Sequence, residues 1–189
     1  MAEPEIKKIQ QRQWEHDEEF HQDIHTLSKL DRLNHYALHF SKYVGRLSHD
    51  HPEEELEDQL DKTIADALIV TFAAANTLEI DLQTELEETF GESFDEVNEW
   101  AQFLDNTGEE MEPPAVRDWL FNRLAMPTGE IANAIESLDH VEPMNLREIL
   151  DEELIQILSF LMVASNQLSF EPVQVIENRW ETIEKESIK

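Results

Sequence analysis

The sequence predicts an all-α fold, a helical bundle in which one helical unit occurs twice. Three observations carry this. No stretch of the 189 residues alternates apolar and polar with a period of two, so no sheet is expected. Only four glycines and seven prolines are available for turns, which favours few, long elements. Residues 60–81 also align with residues 150–171 at one fixed offset, with Leu60/Leu150, Asp61/Asp151, Leu68/Leu158, Ala74/Ala164, Asn76/Asn166 and Leu78/Leu168 identical. Each segment follows a helical stretch containing a glycine, Gly45 or Gly129, and precedes a fresh helix start, at Asp81-Leu82 or Glu171-Pro172. Two copies in one chain predict a pseudo-dimer, where a one-copy protein would have to dimerise.

The elements follow in order. Residues 1–30 form an N-terminal helical segment, since Ile6, Ile9, Gln13, Phe20, Ile24 and Leu27 recur at helical steps with Trp14 beside them. The first repeat spans 31–106. Asp31 is the expected N-cap of its first helix, whose apolar stripe is Leu33, Tyr36, Ala37, Phe40, Val44 and Leu47. Residues 48–52 read as a turn. Residues 53–78 read as a long helix, acidic at its start and apolar all round in its second half, as befits the middle of a bundle. A helical stretch over 82–106 is expected to break at Gly91, and 106–114 (NTGEEMEPP) is the clearest linker.

The second repeat spans 115–189. Its first helix, 115–138, contains Pro127, which is expected to kink or interrupt it. Residues 139–145 read as a loop, 146–168 as the second central helix, and Pro172 as the first turn of a last helix running through Trp180.

Composition excludes several functions. Forty-three acidic residues face fourteen basic ones, a net charge of −29, which repels phosphate backbones and anionic membranes; no nucleic-acid or membrane partner is expected. The absence of cysteine removes disulfides, thiol catalysis and thiolate-bound zinc. With no apolar run long enough to span a bilayer and a polar, acidic beginning, a cytoplasmic location is expected.

Two glutamates stand out. Glu130 lies on one predicted helix, and Glu153 lies on the next, one residue from the stripe Leu150, Leu154, Ile157, Leu158 and Leu161. A carboxylate at the edge of a buried stripe is costly unless paired or bound to a cation, and two on facing helices suit Mg²⁺ or Mn²⁺. The opposing view is that most helical glutamates are solvated. His35 and His39 share a helical face at a chelating spacing, without an evident third ligand. Lys42 and Arg179 are the basic residues considered for phosphate contact.

The stretches GEIANAI and ILDEELIQILSFLMVASNQLSFEP, and the earlier VGRL and QLDKTIADALIVTFAAANTLEIDL, resemble the MazG family of all-α nucleoside triphosphate pyrophosphohydrolases, over most of 33–88 and 117–182. The resemblance implies two degenerate tandem copies. It also implies a Glu-x-x-Glu and a Glu-x-x-Asp motif whose carboxylates hold Mg²⁺, and hydrolysis of a nucleotide to its monophosphate and pyrophosphate. Glu130 matches the later glutamate of the first motif, with Pro127 in place of the earlier one; Glu153 matches the second motif, with Gln156 in place of its aspartate. In the first copy the equivalent positions are Tyr43, Arg46, Thr63 and Asp66. The implied reduced site is therefore composite, with Glu130, Glu153 and Asp66 as catalytic residues and Glu130, Glu153 and Asp151 as metal ligands. Arg46 is expected to pair with Asp66 and replace the ion in the first half. The implied partner is a nucleotide substrate, with a homodimer of the pseudo-dimeric chain as the assembly. The alternatives are a degenerate MazG-fold binding or scaffold module and a plain helical bundle.

Overall fold

The computed structural model describes residues 3–140 and 145–187. Among these, every regular element is helical. The helices are α1 (Glu5–Phe20), α2 (Gln22–His25), α3 (Lys29–Leu47), α4 (Glu53–Leu78), α5 (Leu82–Phe90), α6 (Val97–Leu104), α7 (Pro113–His140), α8 (Leu146–Gln167) and α9 (Pro172–Ser187).

The local chemistry of the helix ends explains most boundaries. The N-cap of α3 is Ser28 and not Asp31: the Ser28 hydroxyl accepts from the Asp31 backbone N–H and donates to the Asp31 carboxylate at 2.6 Å. Serine and aspartate three apart satisfy each other in the manner of a capping box, which places the start nearly one turn earlier than expected. Gly91 closes α5 with φ 73°, in the left-handed region where the absence of Cβ costs nothing. Pro127 lies inside α7, which continues through it for 28 residues; the expected interruption does not occur. Pro127 is buried against the bundle, so packing outweighs the one backbone hydrogen bond that proline removes. Helix α7 reaches His140, past the expected start of the 139–145 loop, and 141–144 lie outside the described residues.

Helix α4 is the core. From Thr63 to Ala75 every residue is buried, with Ile64, Ala67 and Ala75 fully enclosed. Helix α8 matches it, with Ile157, Leu161, Met162 and Ala164 fully enclosed. The two pack against each other, as the apolar surrounds of both segments require. Further packing comes in pairs. Helix α3 packs on α4 as α7 packs on α8; α1 lies on α4 as α6 lies on α8; α9 lies on α4 as α5 lies on α8; and α1 touches α5 as α6 touches α9. Exchanging α1 with α6, α3 with α7, α4 with α8 and α5 with α9 reproduces these contacts, while α1–α9 and α4–α7 have no equally strong counterpart.

The ends of the two central helices match atom for atom. Glu79 and Ser169 both take left-handed backbone, at φ 59° and 54°. The Ile80 N–H donates to the Ala75 carbonyl at 2.9 Å and the Phe170 N–H to the Ser165 carbonyl at 2.8 Å, the same closure in each half. Asn76 and Asn166 occupy equivalent, half-buried places just before these closures. Asn76 donates to the Gln10 carbonyl at 2.9 Å and Asn166 to the Asp105 carboxylate at 2.7 Å.

No single described helix is long and apolar enough to cross a membrane; α4 and α5 meet that measure only as a pair bent by 98°.

Candidate functional site

The acidic residues singled out in the sequence fall in three separate places. Glu153 is buried on α8, where Gln156 donates to its Oε2 at 2.9 Å. Burial pushes the Glu153 carboxyl above the usual carboxylate range, and the charges of Glu152 and Glu130 push the same way. Glu130 on α7 is exposed, yet near enough for its charge to act on Glu153. Pro127 stands about one turn before Glu130 on α7.

Asp151 points elsewhere. It pairs with Arg147 at 2.7 Å and lines a cavity of about 540 Å³ between α5 and α8, together with Glu85, Glu148 and Glu152. Neither Glu130 nor Glu153 lines that cavity.

Asp66 lies in the first half on α4, and its environment differs in kind. It is 7% exposed. Arg46 Nη1 from α3 donates to Oδ2 at 2.6 Å and Arg179 Nε from α9 donates to Oδ1 at 2.5 Å. Each carboxylate oxygen thus has its own guanidinium. The expected Arg46–Asp66 pair is present; Arg179 is a second partner that sequence spacing does not reveal, because it lies 113 residues away. Tyr43 supports the group from below, with Arg46 Cζ 5.3 Å and Lys42 Nζ 4.9 Å from its ring centre. Burial and then the Asp66 charge push the Tyr43 hydroxyl upward, keeping it neutral and able to hydrogen-bond. It meets His39 Nδ1 at 3.0 Å, and Lys42 Nζ lies 3.1 Å from the same nitrogen. Burial, then the Lys42 and His35 charges, lower the His39 pKa to about 4, so its ring is neutral at pH 7. Burial and the Arg46 charge lower Lys42 as well.

These residues line a cleft of about 410 Å³ among α1, α3, α4 and α9. Its charge balance is unlike the rest of the molecule. Lys42, Arg46 and Arg179 face Asp17, Asp66 and Glu186 across it, one cation per anion, whereas the chain as a whole has fourteen cations to forty-three anions. Four of the eight histidines, His21, His25, His35 and His39, share the same wall. A small anion finds here the guanidinium and ammonium donors that the surrounding surface lacks.

The structure therefore does not bring Asp66 or Asp151 to Glu130 and Glu153. Among the described residues, the trio of histidine and carboxylate ligand atoms lying within 4.8 Å of one another is His16, Asp17 and His21, near the end of α1. Sequence spacing hides that group, since positions five apart diverge on a continuous helix; it forms because α1 stops at Phe20.

Searches against models of known protein families, curated proteins and solved structures find no match to this chain.

Proposed function

We propose that this chain is a catalytically degenerate MazG-like protein that binds a small phosphate-bearing anion, a nucleotide or pyrophosphate, in the Lys42–Arg46–Arg179 cleft. The observation that carries this is the double guanidinium clamp on Asp66. At the positions where the resemblance implies ion-binding carboxylates, the first half has Tyr43, Arg46, Thr63 and Asp66. The positive charge that an ion would bring is supplied by the protein itself. Guanidinium groups recognise phosphate oxygens by paired hydrogen bonds, so recognition of a phosphate chain survives the exchange. Activation of water does not, because that step relies on a divalent ion lowering the pKa of bound water. The paired helix contacts and the matching ends of α4 and α8 support a tandem MazG-like build.

A second reading, Mg²⁺- or Mn²⁺-dependent nucleotide hydrolysis at Glu130 and Glu153, is favoured by one observation. Glu153 is a buried carboxyl with a raised pKa beside a second carboxylate, as general acid–base sites require. Two carboxylates with waters and substrate phosphates are a usual way to hold Mg²⁺.

The two readings separate by calorimetry and hydrolysis assays with pyrophosphate and nucleoside mono- and triphosphates. Binding should occur in EDTA, weaken at least about tenfold in Arg179→Met, and lead to no turnover with added Mg²⁺ or Mn²⁺. Failure to bind any of these anions at millimolar concentration sinks the binding reading, and turnover abolished by Glu153→Gln establishes the hydrolytic one.

A further inference from the structure

We infer that His16, Asp17 and His21 form a site for a divalent transition-metal ion of zinc type at the α1 end of the cleft. One ligand atom from each of the three lies within 4.8 Å of the others. Two imidazoles and a carboxylate are the donor set of zinc, copper and nickel, and are poorly suited to Mg²⁺.

His16 supplies an independent observation. Its ring is buried, at 6% exposure, and neither Nδ1 nor Nε2 has a hydrogen-bond partner. Glu184 Oε1 stands 4.0 Å from Nε2, beyond hydrogen-bond reach. Phe20 and Trp180 pack around the ring, at centroid distances of 4.9 and 6.0 Å. A buried imidazole with both nitrogens idle is costly, and such groups in folded proteins meet an ordered water, a ligand or an ion. His21 comes to within 5.5 Å of His16, ring centre to ring centre. It does so from outside the helix: α1 ends at Phe20, and His21 has φ −126° and ψ 42°. Its ring can therefore close on a shared ion without disturbing helical hydrogen bonds.

Asp17 is already oriented as a ligand would be. Trp180 Nε1 donates to Gln13 Oε1 at 2.8 Å, and Gln13 Nε2 donates to Asp17 Oδ1 at 2.8 Å. Gln13 is completely buried, so this relay from α9 through α1 fixes the carboxylate and leaves Oδ2 free. Outer hydrogen bonds of this kind orient metal ligands and tune their affinity. Three protein ligands leave at least one position on the ion for water or an incoming donor. Asp17 and His21 both line the cleft, so an ion held by them would border the space shared with Lys42, Arg46 and Arg179. The other histidine pair is occupied differently: His39 is engaged by Tyr43 and Lys42, and among the described residues no carboxylate joins it and His35 within ligand distance.

The site stands or falls without the anion reading, because the probe is the metal alone. The full-length protein, stripped with EDTA and dialysed, is titrated with Zn²⁺ against a competing chelator. Millimolar Mg²⁺ and molar NaCl are present to suppress diffuse binding to the acidic surface. One Zn²⁺ per chain is expected, and Co²⁺ should give visible ligand-field absorption of a nitrogen-containing site. His21→Ala and Asp17→Asn should each weaken Zn²⁺ at least about tenfold, and Gln13→Leu should weaken it less. The double variant His35→Ala/His39→Ala should bind as the wild type does. His21→Ala is the decisive variant because His21 is half-buried and outside the helix, and circular dichroism checks its fold. No stoichiometric Zn²⁺ under these conditions, or a folded His21→Ala chain with unchanged affinity, overturns the inference.

Discussion

Asp66→Asn should move stability and anion binding in opposite directions. The substitution keeps shape and removes one negative charge from between two guanidiniums. Breaking a buried ion pair by removing one partner costs about 3–5 kcal/mol where the remaining charge is fully enclosed. Arg46 and Arg179 retain 32% and 21% side-chain exposure, so water recovers part of that loss. We expect a net destabilisation of about 2–3 kcal/mol, which for a chain of this size lowers the melting temperature by roughly 5–10 °C. The released guanidiniums then face the cleft without a competing carboxylate. Pyrophosphate should bind at least about tenfold more tightly to the variant, a gain of about 1.4 kcal/mol. Saturating pyrophosphate should therefore restore much of the lost melting temperature, by mass action on the folded state. Calorimetric titration and thermal melts with and without pyrophosphate measure both arms. A variant that melts within 1 °C of wild type shows that the clamp is not stabilising, and one that loses stability without gaining affinity shows that the arginines serve the fold alone.

Three further outcomes are expected. In EDTA, stability should fall as pH drops from about 6.5 to about 4: burial holds His16 and His39 near 4 in the fold, so the unfolded chain takes up their protons first. A His16→Leu variant should show a shallower slope over that window in urea melts, and an unchanged slope would locate the effect elsewhere. Glu153→Gln should raise the melting temperature at pH 7; with its folded pKa raised, Glu153 contributes stability below about 4.5 that is lost as pH rises through the folded value. A less stable variant would mean that the Glu153 charge has a partner. The melting temperature should rise from low to molar NaCl, since screening relieves the self-repulsion of 29 net negative charges, and a flat or falling curve would show that paired charges dominate.

The helices were legible where hydrophobic periodicity was strong. The bounds of α4 match the sequence reading residue for residue, because the acidic start and the apolar run are both local signals. Pro127 does not interrupt α7, because proline's local penalty is small against the burial that α7 gains from α3 and α8. The candidate site was legible only where its pieces are near in sequence or share a repeat. Arg46 and Asp66 are twenty residues apart on successive helices that pack together, and their opposite charges pair across that contact. Arg179 and Asp66 meet only because α9 crosses onto α4, a tertiary fact with no local signature. The same holds for His16 and His21, whose approach depends on where α1 stops.

The crossing of helices between halves has a consequence for how the chain reaches its native state. Helix α5 closes over α8, and α9 closes over α4, so neither central helix is sealed by the segment that immediately follows it. Until α9 emerges and docks, α4 lacks part of its cover and Asp66 has only one of its two cations. Assembly is thus gated by contacts far apart in the chain, the slow class of folding events. A polypeptide severed in the 106–114 linker would yield two fragments that each expose the face meant for the other, and that recover a native core only by finding one another.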